Sequence, residues 1–158
     1  MKKLIVALGL LTLLSVAVPF TVTAASLALW PSQFKPASHT VSLADVNAFA
    51  RWNFNWLSAT DVGGATFEGE VKLPVGARIT KLAVNAEGQG AGAALLRAKI
   101  DGPIETVAEV ELGVGSTRGW YYIDAINFPV VTAGYKYWVH VDVPGSDAYV
   151  FGVRVSYR

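Results

Sequence analysis

Cysteine is absent from this sequence of 158 residues. The absence excludes disulfide bonds, thiolate metal sites, cysteine nucleophiles and lipidation at a cysteine. Stability must therefore come from side-chain packing, which a chain of this length can supply as one domain. An exported protein without disulfide bonds is ordinary in bacteria, whereas small secreted animal domains more often contain them.

Charged residues are also scarce. Only 16% of the residues are charged, whereas about 25% are charged in an average soluble domain. Thirteen Lys and Arg residues stand against twelve Asp and Glu residues, which gives a formal net charge of +1. The basic residues occur singly, with no run that would release many counterions from a nucleic acid. We therefore expect no nucleic-acid partner.

Catalytic motifs are missing as well. The sequence has two histidines, and one of them, His140, precedes Asp142 by two positions, which places the side chains about 7 Å apart and side by side on a strand. No serine stands in the Gly-x-Ser-x-Gly context of a hydrolase. Neither three or four zinc ligands nor a calcium-binding cluster of acidic residues is present. We predict a non-enzymatic protein with no metal and no cofactor.

Residues 1–25 have the three-part order of a secretory signal peptide. A positive Met-Lys-Lys start is followed by an apolar run from Leu4 to Val18 and then by a more polar tail. The small residues of that tail predict cleavage after Ala24 or Ala25. The apolar run is shorter than the about 20 residues of a permanent membrane helix, which disfavours the alternative of an uncleaved anchor. We predict a signal helix that is removed and a secreted, cell-surface or periplasmic protein with no stable membrane span.

The chain from residue 65 onward alternates between apolar and polar side chains at every second position. This alternation is typical of half-buried β-strands. The clearest cases are Tyr135–Val143 and Tyr149–Tyr157, the second with Tyr149, Phe151 and Val153 predicted to face inward. The aromatic and β-branched run from Trp120 to Phe128 predicts another strand.

Three further strands are predicted before residue 65, over Ser26–Trp30, His39–Leu43 and Arg51–Ser58. Residues 44–51 could instead form one helical turn. The total is about eight or nine strands, separated by Gly or Pro turns. We predict one all-β domain over residues 26–158, a two-sheet antiparallel β-sandwich of jelly-roll type.

Residues 67–82 resemble a pattern of secreted bacterial jelly-roll-like β-sandwich proteins, most of which have no known function. In that pattern an apolar strand ends in Leu-Pro-x-Gly-Ala, here Leu73 to Ala77, and a second strand follows at once. The ending from Tyr149 to Tyr157 looks like the end of the same kind of domain. The resemblance implies the fold and export, and it implies no activity.

Two neighbouring strands carry opposite charges. Arg97 and Lys99 lie on the first, and Glu109 and Glu111 lie on the second. We predict that these side chains pair across a hairpin on the solvent side. Exposed ion pairs of this kind support the register of the two strands and contribute only about 0–1 kcal/mol to the free energy of unfolding.

Aromatic residues beside polar ones suggest a binding function. Trp120, Tyr122, Trp138 and His140 form a candidate ligand surface, because flat rings stack on sugars while polar neighbours meet the hydroxyl groups. The alternatives are that these rings fill the core or a partner interface. A secreted carbohydrate-binding module is therefore the second functional hypothesis.

The segment from Ser26 to Trp30 suggests a structural function. Leu27, Leu29 and Trp30 make it a candidate donor strand that adds to the sheet of a neighbouring copy and builds a fibre. The alternative is a first strand in its own sheet. The first functional hypothesis is an exported structural component of a cell surface, matrix or filament, whose partner is another copy or an extracellular polysaccharide.

Overall fold

A computed structural model describes residues 23–37, 50–52, 55–59 and 64–158. The predicted signal peptide lies outside these residues except for residues 23–25, and the predicted strand His39–Leu43 lies outside them entirely. Both stay predictions. Within the described ranges, no helix has the length and apolar character needed to cross a membrane.

The described chain forms two antiparallel sheets that enclose one core, which confirms the predicted β-sandwich. A single 3-10 turn, Pro31–Gln33, is the only helical element in this part of the chain. The strands are β1 (Ala25–Leu29), β2 (Lys35–Pro36), β3 (Ala50–Trp52), β4 (Leu57–Ala59), β5 (Ala65–Val71), β6 (Ile79–Glu87), β7 (Gly92–Lys99), β8 (Glu105–Glu111), β9 (Gly119–Ile123), β10 (Tyr135–Val143) and β11 (Tyr149–Tyr157).

The larger sheet has the strand order β3-β4-β11-β6-β9. Strand β1 pairs with β11 on the same edge as β4, because β6 occupies the other edge along its whole length. The smaller sheet has the order β2-β5-β10-β7-β8. The chain therefore crosses from the larger to the smaller sheet between β1 and β2, through the 3-10 turn.

The inward positions of the strands form the core. Val139 and Val141 of β10 and Val153 and Val155 of β11 are at most 1% exposed. They meet between the sheets because alternate residues of a strand point to the same face. The residues between these inward positions consequently point to the outer face of each sheet.

Phe34 anchors the crossover between the sheets. Its side chain is fully buried and lies over Gly69 of β5, where an added Cβ would come within 3.0 Å of the ring. A side chain at that position would force the Phe34 ring to shift by a few tenths of an ångström, so glycine fits the position best.

The prediction of one strand over Arg51–Ser58 is wrong. Strands β3 and β4 pair with each other, with Trp52 opposite Leu57, so the chain reverses direction inside that segment. Asn55 lies in a bend, and asparagine favours turns because its side chain bonds to nearby backbone. In the paired arrangement, Leu57 and Ala59 of β4 are buried in the core.

The prediction that Tyr149 and Phe151 face the core is also wrong. The register of β11 against β6 shifts between Val150 and Gly152, as in a β-bulge. Val150 is fully buried instead, and the Phe151 ring stacks on Tyr149 with centroids 6.3 Å apart. The bulge therefore moves two aromatic rings out of the core and onto the outer side of β11.

The predicted pairing of Arg97 with Glu109 or Glu111 is wrong. Arg97 instead bonds Glu105, with 2.8 Å between Nε and Oε2. A register shift after Leu95 brings Glu105 opposite Arg97, whereas Glu109 and Glu111 lie opposite Ala94 and Gly92. Arg97 has the inward parity of Leu95 and is only 7% exposed.

The strand predicted from Trp120 to Phe128 ends at Ile123. Phe128 lies in the following loop with a left-handed φ of 44°. Its ring centroid lies 3.8 Å from the guanidinium carbon of Arg97, and the Tyr135 ring lies 4.4 Å from the same atom. Arg97 is thus bound by two rings and a carboxylate at the end of the core.

We predict that Phe34→Ala lowers the free energy of unfolding by about 3–5 kcal/mol, because it leaves a cavity at a fully buried site. Chemical denaturation of the wild type and the variant measures the loss. Val114→Ala serves as the control, since Val114 is 83% exposed and should change stability little. A loss below about 1 kcal/mol for Phe34→Ala would show that the crossover is not anchored by this ring.

Candidate functional site

The larger sheet exposes aromatic rings on its outer face. Trp120 and Tyr122 of β9 are 45% and 62% exposed, and Trp30, just after β1, is 58% exposed. Trp120 lies opposite Asn85 of β6, which lies opposite Gly152 of β11. An added Cβ on Gly152 would lie 3.9 Å from the Trp30 ring. One row of side chains therefore runs across the sheet from Trp30 to Trp120.

Local sequence sets the direction of these rings. Tyr121 and Ile123 pack against the core, so the alternation of β9 turns Trp120 and Tyr122 outward. Pro31 begins the 3-10 turn and ends β1. The backbone N–H of Trp30 donates to Oε1 of Gln33 at 2.8 Å, which holds Trp30 at the strand end.

Small side chains separate the rings at the two edges. Gly152 and Ala83 are buried and lie between Trp30 and the β9 rings. Neighbouring strands are about 4.8 Å apart, so three strand spacings separate the two sets of rings by about 14 Å. The outer face therefore has aromatic rings at both edges of a strip of small side chains, which we call the trough, and the side chain of Arg154 reaches across part of it to Trp120.

Cations lie over three of the rings. The guanidinium carbon of Arg118 is 3.9 Å from the Phe151 centroid, Nζ of Lys81 is 4.4 Å from Tyr122, and the guanidinium carbon of Arg154 is 4.9 Å from Trp120. All three distances are within the range of cation–π attraction. We call this surface the aromatic face; it comprises Trp30, Trp120, Tyr122, Phe151, Lys81, Arg118 and Arg154.

Asn85 contributes an unusual atom to the floor of the trough. Its Oδ1 is buried and accepts no hydrogen bond from the part of the chain that the structure describes. A buried acceptor without a donor costs about 1–3 kcal/mol, so native structures keep few of them. A donor reaches this atom only if the side chains that cover it move, because the atom has almost no exposed surface.

Trp138 and His140 lie on the opposite side of the molecule. Both are on β10, and they alternate with the buried Tyr137, Val139 and Val141, so they face outward from the smaller sheet. The structure therefore brings Trp120 and Tyr122 together and brings Trp138 and His140 together, but it places the two pairs on different outer faces.

Carboxylates outnumber cations on the outer face of the smaller sheet, where Lys35, Lys72 and Lys136 also lie. Trp138 lines a groove of about 560 Å³ there with Lys35, Glu68 and Glu70, a volume within the range of ligand pockets. We call this surface the acidic face; its carboxylates are Glu68, Glu70, Glu109, Glu111 and Asp142.

His140 links two of these carboxylates. Its Nδ1 lies 3.6 Å from Oε1 of Glu68, and its Nε2 lies 3.4 Å from Oδ1 of Asp142. The hydrogen bond with Asp142 raises the pKa of His140 above 6.5, burial opposes the rise, and the charges of Asp142 and Glu68 add to it. Both ring nitrogens face acceptors, so the protonated form of His140 joins β5 to β10. No three His, Asp or Glu side chains within the described ranges converge on a metal position.

The candidate donor strand lies in its own sheet. Strand β1 pairs with β11 over its whole length, Leu29 is buried, and Leu27 packs against the core. Trp30 is exposed at the aromatic face. Exchange of β1 between copies stays a prediction.

Sequence reasoning missed several residues of the aromatic face. A bulge has no clear sequence signal, so alternation alone places Phe151 in the core, and the sequence marks Trp30 only as part of a donor strand. Lys81 and Arg154 occupy outward positions of predicted strands, so the alternation of the sequence predicts that both are on an outer face. The positions of Arg118 and Asn85 on this face follow only from the register between β6, β9 and β11, which the sequence does not give.

The chain is similar to several solved structures, with TM-scores below 0.5. No family model matches the chain, and no curated protein sequence matches it. The solved structure of a Podospora anserina mannanase of family 26 with a family 35 carbohydrate-binding module matches with a TM-score of 0.45 and 11% identity, covering 82% of this chain. This chain spans only 27% of that protein.

Two single modules are similar over nearly their full length. The C-terminal family 6 carbohydrate-binding module of LamC, a marine laminarinase from Zobellia galactanivorans, has a TM-score of 0.45 and 9% identity, with 83% of this chain and 98% of that chain covered. A family 29 carbohydrate-binding module has a TM-score of 0.46 and 8% identity, with 85% and 92% covered. These similar structures are carbohydrate-binding modules or contain one.

We predict that the stabilising contribution of His140 depends on pH. A raised folded-state pKa gives stability that is fully present below the unfolded pKa of about 6.5 and is lost as the pH rises through the folded pKa. The unfolding free energy of the wild type should therefore exceed that of His140→Gln by up to about 1 kcal/mol near pH 5.5, and the difference should shrink toward pH 9.

Denaturant titrations across this pH range measure the difference. Asp142→Asn is the second variant, because it removes the largest cause of the raised pKa of His140 and should also flatten the pH dependence. A difference that grows with pH would contradict the role of His140 as a cation between two strands.

Proposed function

We propose that this domain binds carbohydrate through the aromatic face, without catalysis. The observation that carries the proposal is the exposure of Trp30, Trp120 and Tyr122 along one trough of the larger sheet. Large rings grouped on a surface are not needed for folding and indicate a binding site. Flat rings at the edges of the trough provide the apolar contact that a sugar ring takes.

The floor of the trough supports the same ligand class. Oδ1 of Asn85 is a buried acceptor without a donor, and sugars carry many hydroxyl donors. A hydroxyl group that displaced the covering side chains would make a hydrogen bond with this acceptor away from bulk water, where such bonds are strong. A purely apolar ligand would leave the acceptor unsatisfied.

The groove on the acidic face is the competing site. It offers one half-buried ring, Trp138, beside Glu68 and Glu70. The aromatic face offers three exposed rings and the orphaned acceptor, so we place the sugar site there.

We predict that Trp120→Ala and Trp30→Ala each weaken polysaccharide binding by at least about tenfold, because a buried ring contributes about 1.5–3 kcal/mol. Pull-down with insoluble polysaccharides followed by calorimetry on soluble fragments measures the loss. Trp138→Ala is the matched control, since it removes the same ring from the opposite face and should leave the affinity unchanged.

Asn85→Ala separates binding from folding. The variant should keep or raise the melting temperature of the free protein, because it removes an unsatisfied buried acceptor, and it should weaken binding. If the wild type binds no polysaccharide, the proposal fails. If Trp138→Ala alone loses binding, the site is the groove on the acidic face.

A second candidate is the structural component of a cell surface, matrix or filament. The observation that favours it is the small excess of cations on the aromatic face and of carboxylates on the acidic face, which lets the cations of one copy meet the carboxylates of the next. Such head-to-tail contacts do not close and extend into filaments. Location outside the cytoplasm is part of both proposals.

We predict for this second candidate that light scattering shows a mass above that of the monomer at low salt, which falls as salt is added. The Debye length shortens from about 30 Å at 0.01 M to about 8 Å at 0.15 M, so contacts between charged faces weaken. A monomer at every salt concentration would exclude stacking by charge.

A further inference from the structure

The charges on the aromatic face are not neutralised by carboxylates. Lys81, Arg118 and Arg154 lie over rings at 4.4, 3.9 and 4.9 Å. None of the three forms an ion pair with another residue in the ranges that the structure describes. Glu87 of β6 also points to the outer side of the larger sheet, at one end of the aromatic face. Three cations therefore remain available along the trough.

Arg97 shows the contrasting arrangement in the same protein. It also lies against two rings, Phe128 and Tyr135, but it is 7% exposed and bonds Glu105 at 2.8 Å. A buried cation requires such a partner. Arg118 and Arg154 are exposed, so water or a ligand can take the place of the missing carboxylate.

The cations also change what the rings can do. A cation about 4–5 Å above a ring covers the face on which a neutral sugar would stack. A neutral sugar on Trp120 or Tyr122 must therefore displace Arg154 or Lys81 and lose the cation–π contact. A ligand that itself attracts the cation does not incur that loss.

Stacking leaves the donors of a guanidinium available. Its N–H groups lie in the plane of the group, so an arginine stacked on a ring still presents its edge. Carboxylate and sulfate groups accept two parallel bonds from such an edge. The cations of Arg118 and Arg154 are therefore positioned for ligands that combine hydroxylated rings with anionic groups.

We propose that the aromatic face binds an anionic saccharide, whose sugar rings lie along the trough and whose carboxylate or sulfate groups bind Lys81, Arg118 and Arg154. This step rests on the proposed carbohydrate binding and names its ligand class.

The test compares polygalacturonate with its methyl ester, which keeps the same sugar chain and removes the charge. We expect the wild type to bind polygalacturonate at least about tenfold more tightly than the ester, since charge-assisted hydrogen bonds are the strong ones. Calorimetry at several salt concentrations should show an affinity for the acid that falls with salt.

Arg154→Gln and Lys81→Gln supply the variants. Each should weaken binding of the acid several-fold and leave binding of the ester unchanged or stronger, because the variant uncovers a ring. If Arg154 and Lys81 had only a structural role, the variants would bind both the acid and the ester more weakly. Lys136→Gln, on the outer side of β10 in the smaller sheet, is the matched control and should change neither.

Two further polymers identify the chemistry. Dextran sulfate tests sulfate in place of carboxylate, and binding of either acid supports the proposal. Polyglutamate has the charge without hydroxyl groups, and equal binding of polyglutamate would overturn it. Equal binding of acid and ester leaves carbohydrate binding standing and rejects the anionic class, whereas no binding of any saccharide rejects the proposed function itself.

Discussion

The pairing of β11 with β6 is the constraint on which the rest of the structure depends. It joins Tyr149–Tyr157 to Ile79–Glu87 in the middle of the larger sheet, and β1, β4 and β9 attach to its two sides. Val153 and Val155 face the smaller sheet because this register places them opposite Val84 and Leu82. Arg154 and Gly152 consequently face outward.

The bulge in this pairing gives the aromatic face its composition. One extra residue between Val150 and Gly152 keeps valine in the core on both sides while Phe151 leaves it. Gly152 then accepts the backbone of Leu29, whose carbonyl oxygen would lie 3.3 Å from an added Cβ, and the ring of Trp30. A larger residue at Gly152 would push Trp30 away from the sheet.

Charge separation between the two outer faces is the second organising feature. The net charge of +1 conceals it, because composition counts charges without their directions. Carboxylates outnumber cations on the acidic face, which also carries Lys35, Lys72 and Lys136, and cations outnumber carboxylates on the aromatic face, where Glu87 lies. The separation of charge between the two faces is therefore partial, and composition does not show it.

The sequence alone indicates the strands and their parity but not the order of the strands. Alternation is local, so β5, β6, β10 and the inward valines of β11 follow from it directly. Whether Trp120 and Trp138 share a face depends on β9 pairing with β6 while β10 pairs with β5 and β7, which is a non-local choice. The bulge at Val150 and the β3–β4 hairpin were missed for the same reason, because tertiary pairing decides them.

The aromatic face also resolves a conflict between solubility and binding. Exposed rings tend to associate with other apolar surfaces, and this face carries several of them. The cations of Lys81, Arg118 and Arg154 cover rings that would otherwise be bare, at a cost far below that of burial because they stay in water. The same cations then decide which ligand can reach the rings, since an anionic group draws a cation toward itself and a neutral one must displace it. In the proposed function, the same contacts that cover the rings in the free protein also set which ligand can reach them.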